Sequence, residues 1–525
     1  MRIWRAWRKT GSRVRELAGF TVAVVAASAG LVGTTAAIGT PAAPAAVAAP
    51  DVSAATCAAL TGLSLPDLPG HDTAAVTAAY VAGSGCQVGI EITDTSDPRG
   101  GQPGMIGIDL TLPDDWNGNY MAEGNGVYCS PATFVTLTSD QWLAAGYAIS
   151  QDDCGHTGYL NALVSPWVTN TNPPPALNWN RIDDFGYLAQ HLTAVESKVV
   201  IGDYYGARAH YSFWNGCSTG GRQGLMEAQR YPSDFNGILA GAPALNWDQF
   251  MVAQMWPQLV MEWNKDVLPT CKENLVNTTL QAKCHDQDGQ VDGVFDPRTC
   301  NVLGVLHSLI GTSTPCGTFT AADALVVQEI WQGPRYSGSQ SNLLTGLPVW
   351  FGMEPGANLA GLYVPALGPG GGLGLATTYQ QANGQWAGAP FIPSAEGLAD
   401  QLIFTGDSIS YYNHVLAANG GIQNTGSFFR YFLAPGVGHC GSPGAGSIAP
   451  ANPMQQVIDW VENGQAPAVL NASGTINGQA VTRPLCPYPD PDAIYTGGNP
   501  NLAASYTCNS RPQYTNPFLL NGQHG

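Results

Sequence analysis

The stretch that decides the fold is His210-Tyr211-Ser212-Phe213-Trp214-Asn215-Gly216-Cys217-Ser218-Thr219-Gly220-Gly221-Arg222. His210 to Trp214 reads as a strand, and Arg222 to Gln229 reads as a helix. Between them lies Gly-x-Ser-x-Gly, with Ser218 at its centre and Cys217 directly before it. A serine on a sharp strand-to-helix turn is an exposed nucleophile. Its neighbours must be small, because a larger side chain would clash on a strained turn. The string alone says little, and the strand–turn–helix context gives it weight.

Working outward, Met105 to Leu112, Asn119 to Ala122 and Tyr147 to Ser150 read as strands. Asp184 to Val200 has helical spacing and leads into the nucleophile strand, and Gly237 to Pro243 reads as the next buried strand and its exit. Strands alternating with helices imply an α/β fold. From about Leu245 the chain turns rich in Trp, Gly and Pro. Strand-like sequence returns at Leu402 to Thr405 and Phe428 to Leu433. The expected architecture is therefore an α/β-hydrolase fold with a large lid domain inserted between nucleophile and catalytic acid. Its expected parts are 1–48 as leader, 49–244 as the first part of the hydrolase domain, 245–393 as the lid and 394–525 as the second part. Trp256, Trp263, Trp331, Trp350 and Phe351 are candidates for an aromatic-accepting pocket, set against packing in the lid's own core.

A serine hydroxyl needs a histidine base, and the histidine needs a carboxylate to fix its tautomer and stabilise its charged form. The order on this fold is serine, acid, histidine. His439, in the glycine-rich loop Pro435-Gly436-Val437-Gly438-His439-Cys440-Gly441, fits the base. His414 lies in a helix-like stretch and His524 in the tail. Asp400 and Asp407 both fit the acid by position, and Asp407 has the look of a helix N-cap before Ser408. Contact between Ser218 and His439 would force Cys217 and Cys440 together, so a disulfide between them would staple the two loops. An oxyanion hole needs two N–H groups; Thr219 and Gly126, the latter in Glu123-Gly124-Asn125-Gly126-Val127, are the candidates.

A second site has metal-binding character. Asp286, Asp288 and Asp292 alternate with Gly289 and Gly293, and the carbonyls of Gln290 and Val294 can add ligands. Dense hard oxygen donors suit a structural Ca²⁺. The spacing is not that of an EF-hand. Cys284 and Cys300 bracket the loop. No organic cofactor is required.

Arg2, Arg5, Arg8, Lys9, Arg13 and Arg15 precede an apolar run from Leu17 to Val32 and an Ala/Pro-rich stretch, the pattern of a secretory signal. The expected location is extracellular. The formal charge of -18 argues against nucleic acid or anionic membrane as a partner. Twelve cysteines, an even number, suit a disulfide framework in such a compartment.

These motifs resemble the tannase/feruloyl esterase family of secreted α/β-hydrolases. The matching pieces are Gly216-Cys217-Ser218-Thr219-Gly220-Gly221, Pro435 to Cys440 and the acidic glycine loop before Cys300. The resemblance implies Asp400 as the acid, through Gly397-Leu398-Ala399-Asp400 followed by Tyr411-Tyr412; Leu398 departs from the family's Trp. It implies Ca²⁺ in the lid, with His285 standing where a carboxylate is expected and Asp286 as its substitute one residue on. It implies the pairs Cys57–Cys86, Cys217–Cys440, Cys284–Cys300 and Cys486–Cys508, and the remaining cysteines are assigned as Cys129–Cys154 and Cys271–Cys316. The implied substrate is a small aromatic ester of feruloyl or galloyl type. The competing expectations are a non-catalytic binding protein on the same scaffold, which predicts a missing triad member, and a hydrolase of other esters.

Overall fold

The structure is a computed structural model. It describes residues 52–508, apart from 67–70, 130–135, 157–165, 170–175, 285–289, 336–348, 360–391, 442–447 and 490–492 and the single positions 100, 255, 291, 292, 295, 358, 398 and 401. Residues 50–525 form one unit and 1–49 another. The leader thus lies outside the described residues, as does His524.

The main sheet is built from β1 (His71–Val81), β2 (Gly85–Asp94), β3 (Gly104–Leu112), β4 (Asn119–Glu123), β5 (Ala148–Asp152), β6 (Tyr211–Cys217), β7 (Gly237–Gly241), β8 (Ile392–Gly397) and β9 (Phe429–Ala434). Their spatial order is β1-β2-β3-β5-β4-β6-β7-β8-β9. The first three are an antiparallel meander, and β3 pairs antiparallel with β5. From β5 onward every pairing is parallel. Parallel strands must be covered on both faces, and the central strands accordingly bury both sides: β7 carries Ile238, Leu239 and Ala240, and β6 carries Phe213 and Trp214.

Helix α1 (Ala189–Tyr205) precedes β6, and helix α2 (Thr219–Arg230) follows it. The helical spacing from Asp184 holds with one change: Asp184–Leu188 is a π-turn, and the α-helix begins at Ala189.

Between β7 and β8 the chain leaves the sheet. This segment contains α3 (Trp247–Ala253), α4 (Trp256–Asn264), α5 (Thr270–Lys283), α6 (Val302–His307) and α7 (Ala321–Gln332). Val260, Met261, Val276, Leu280, Phe319, Val327, Ile330 and Trp331 form a core of their own there. Helix α7 opens on a capping box in which Thr320 and Asp323 satisfy each other's backbone N–H groups. Trp331 is buried in this core, with Trp256, Trp350 and Phe351 packed on its edge. Trp263 is 65% exposed and stands edge-on to Trp256. The aromatic candidates therefore serve mainly to pack the inserted segment.

One strand expectation fails. Leu402 to Thr405 is not a strand; the strand lies earlier, at β8. Asp400 Oδ1 accepts the N–H groups of Leu402 and Ile403, which bends the chain into a turn. Helix α8 (Thr405–Ala418) follows at once. Asp407 is accordingly not an N-cap: that place is held by Phe404, and Asp407 sits in the first turn. His414 lies within α8, as its helix-like surroundings suggest. The strand Ile392–Gly397 carries a proline and few apolar residues, which hid it.

Candidate active site

Ser218 caps the N-terminus of α2 with φ 63° and ψ −122°. A positive φ on a non-glycine residue costs on the order of 1–3 kcal/mol and persists only where the surroundings enforce it. The surroundings here do so. Ser218 N–H donates to the Gly241 carbonyl at 3.0 Å, and the Ser218 carbonyl accepts from Arg222 at 3.0 Å and Ala244 at 3.1 Å.

The glycines beside Ser218 allow a second loop to approach. A Cβ on Gly220 would sit 3.0 Å from Gly124 Cα, and one on Gly216 would sit 2.4 Å from the Gly220 carbonyl oxygen. Gly124 and Gly220 thus interlock. Gly220 N–H donates to the Asn125 carbonyl at 2.8 Å, and Gly124 N–H donates to the Asn215 carbonyl at 2.9 Å. The Thr219 hydroxyl donates to the Val127 carbonyl. The loop 123–127 therefore lies directly on the elbow. Among the described residues, neither the Gly126 nor the Thr219 N–H has an internal acceptor.

Gln223, fully buried, fixes that loop. Its Oε1 accepts from Asn125 N–H at 3.0 Å, and its Nε2 donates to Asn125 Oδ1 at 3.1 Å. Asn125 Nδ2 donates in turn to the Asp152 carbonyl. The disulfide Cys129–Cys154 closes the same region, with Cys154 Sγ 3.2 Å from Gln223 Nε2. Sequence reasoning missed this clamp. The available signal was a glutamine inside a helix whose neighbours Gly224, Leu225 and Met226 are all core-forming.

His439 follows β9 on its loop. Its Nδ1 lies 2.8 Å from Asp400 Oδ2. Asp400 is fully buried, and its other oxygen holds the Leu402 and Ile403 N–H groups. Asp407, the rival acid, instead accepts from Asn246 Nδ2 at 2.8 Å. Cys217 and Cys440 form a disulfide, with Cα atoms 5.9 Å apart. This bond ties the residue before Ser218 to the residue after His439. All six disulfides match the assigned pairs: Cys57–Cys86, Cys129–Cys154, Cys217–Cys440, Cys271–Cys316, Cys284–Cys300 and Cys486–Cys508.

The elbow abuts an apolar cluster. Tyr128, Phe185, Ala244, Trp247, Phe250 and Ile403 are buried together, with Val127 and Cys217 packed against them. Arg222 enters this cluster but is committed: it donates to the carbonyls of Phe185 and Gly186, and its guanidinium stacks on Phe185 at 4.5 Å. Glu354, from the inserted segment, accepts from Gly406 N–H at the start of α8. Burial pushes its carboxyl up to about 8.

Of the proposed metal ligands, Asp286, Asp288 and Asp292 lie outside the described residues. The loop is closed by Cys284–Cys300, and Gly293 has φ 89°, a backbone conformation that favours glycine. Val294 is buried against Phe432 and Val437, on the strand and loop that lead to His439. Asp296 is paired with Arg298.

With this geometry in place, comparison with known proteins gives a consistent result. The family model described as "Tannase and feruloyl esterase" matches residues 86–369 and 390–509. A probable feruloyl esterase of Arthroderma benhamiae is 32% identical over 459 residues, covering 77% of this chain and 82% of that protein. Feruloyl esterase B of Aspergillus niger is 28% identical, covering 76% and 82%. Among solved structures, tannin acyl hydrolase from Aspergillus niger superposes with a TM-score of 0.69 at 20% identity, covering 90% of this chain and 97% of that one. Feruloyl esterase B from Aspergillus oryzae gives 0.65 at 21% identity, covering 87% and 100%. At these identities the structures establish the shared fold. The chain belongs to the tannase and feruloyl esterase family and is a carboxylic ester hydrolase.

Proposed function

We propose that this chain is a secreted serine esterase that cleaves aryl or hydroxycinnamoyl esters, of feruloyl or galloyl type, through Ser218, His439 and Asp400. The observation that carries the reading is the contact of His439 Nδ1 with Asp400 Oδ2. It sits beside a disulfide that tethers His439 to the nucleophile turn. Asp400 keeps the proton on Nδ1, so Nε2 is the basic nitrogen. Nε2 takes the Ser218 hydroxyl proton as Oγ attacks the ester carbonyl. The Thr219 and Gly126 N–H groups receive the developing oxyanion. The imidazolium then protonates the departing alcohol, leaving an acyl group on Ser218. Water, deprotonated by the same nitrogen, releases the acid and restores the serine.

The substrate class rests on two supports. Of the sequence relatives named above, one is a feruloyl esterase and the other a probable feruloyl esterase. The elbow also borders Tyr128, Trp247 and Phe250, an aromatic environment suited to a phenolic ring, and Arg222 is engaged by carbonyls rather than offered to a substrate carboxylate. The inserted segment is proposed as the lid over this site.

A structural Ca²⁺ is part of the proposal. Asp286, Asp288 and Asp292 with the carbonyls of Gln290 and Val294 would hold it, and the hard oxygen donor set fits. The ion would supply charge neutralisation within the loop. Val294 packs beneath the His439 loop, so a rigid metal loop would brace the base.

The test is hydrolysis of methyl ferulate and methyl gallate by wild type and Ser218→Ala. Turnover of either ester by wild type and loss in Ser218→Ala is expected. Retained activity in Ser218→Ala overturns the mechanism, and inactivity of wild type on both esters overturns the substrate class.

A further inference from the structure

About nine residues beyond Ser218 on the same helix, Glu227 is fully buried and neither of its carboxylate oxygens has a hydrogen-bond donor among the described residues. The nearest polar group is the carboxyl of Asp234, within reach of a shared hydrogen bond, and the Lys198 ammonium acts on Glu227 from farther off. Two ionised carboxylates cannot satisfy each other; either a proton or a cation must lie between them. His191, on the first turn of α1, completes the cluster, with Nδ1 2.5 Å from Asp234 Oδ2. One donor atom from each of His191, Glu227 and Asp234 lies within 4.8 Å of the other two.

We propose that His191, Glu227 and Asp234 form a binding site for a divalent transition-metal ion of the Zn²⁺ class. The mixed nitrogen and carboxylate donor set suits such an ion, and a fourth position is left for water. A tetrahedral site with bonds of about 2.1 Å needs ligand atoms about 3.4 Å apart, which small side-chain movements reach. The His191 ring is already oriented, because it stacks on Tyr231 with centroids 3.6 Å apart and planes 7° off parallel. Its side chain is 23% exposed, which gives the ion an entry path. Lys198 is the nearby competing cation. Its ammonium donates to the Asp234 backbone carbonyl rather than to either carboxylate, and burial lowers its hold on its proton. The ion would join α1, the far end of the nucleophile helix and the turn before β7. It would therefore brace the helix from the end opposite the serine.

The experiment uses the full chain, stripped with chelator, resupplied with excess Ca²⁺ to fill the acidic loop, and titrated with ZnCl₂. The expected result is one Zn²⁺ bound per chain with a rise in Tm, and visible absorption bands when Co²⁺ replaces it. His191→Gln and Glu227→Gln should each weaken binding about tenfold or more. Labelling of Ser218 by a fluorophosphonate should proceed in both variants, which separates this site from the catalytic reading. His191→Gln changes a half-buried residue and keeps the test valid if Glu227→Gln folds poorly. Absence of stoichiometric binding in wild type, or undiminished binding in the variants that fold, overturns the proposal; the cluster is then held by a shared proton.

Discussion

Cys217 and Cys440 are joined across 223 residues of sequence, and each is the immediate neighbour of a residue of the proposed catalytic pair. A cross-link of so long a span contributes about 2–4 kcal/mol by restricting the unfolded chain. It also fixes where His439 lies relative to Ser218. The double variant Cys217→Ala/Cys440→Ala should therefore lose Tm and, at a temperature where it remains folded, also lose kcat. Circular dichroism melts and ferulate kinetics measure the two effects. Unchanged kcat in the folded variant would restrict the disulfide to stability alone.

Asp400 and Asp407 offer a clean contrast. Asp400→Asn should lower kcat by about 10³–10⁴-fold, because the amide cannot hold the His439 tautomer. Asp407→Asn leaves His439 untouched, since that carboxylate bonds Asn246. It should change kcat by less than about tenfold, on the scale of a neutral hydrogen bond. Equal losses in the two variants would contradict the assignment.

Gln223 grips both the backbone and the side chain of Asn125. Gln223→Leu should release the loop that carries the Gly126 N–H. Removal of one oxyanion donor costs about 10²–10³ in kcat, and a loosened donor should cost about ten- to a hundredfold. KM should move little, since the ground-state ester gains less from that donor. Steady-state kinetics decide it, and a change confined to KM would argue against a role in the transition state.

Asp152 and Glu354 are buried carboxyls pushed up by desolvation to about 7 and about 8. Asp184 is raised for the same reason. In the unfolded chain such groups titrate near pH 4. Between about pH 4 and pH 8 the folded state therefore holds more protons than the unfolded state, and stability falls as pH rises. The contribution is complete below about pH 4 and is lost as pH passes the folded values. Tm should be higher at pH 5 than at pH 8.5, and Glu354→Gln should flatten part of that slope. A Tm that rises with pH over this range would contradict the assignment.

The elbow was legible because its constraints are local. A glycine turn, a strand before it and a helix after it are all written within the twenty residues from His210 to Gln229, and His439 carried a similar glycine signature. The acid was different. Asp400 and Asp407 are seven residues apart, and only tertiary placement, with Asp400 bending its own chain into a turn, brings one of them to the histidine. The strand Ile392–Gly397 was hidden because Pro393 and Gly397 mask its pattern; it is identified by pairing with β7 and β9. Asn125, Gln223 and Glu354 stayed invisible for a related reason. A buried polar residue declares its function only through its partners, and those lie far away in sequence.

The long disulfide also changes what a protease can do to this molecule. Residues 218–439, including all of the inserted segment, form part of a covalently closed ring. A single cut anywhere inside it leaves two pieces that remain one molecule. A nicked chain should run as one band without reductant and as two with it, and the two catalytic loops should stay in register after the cut. The inserted segment can thus be trimmed or opened without either half of the sheet drifting away.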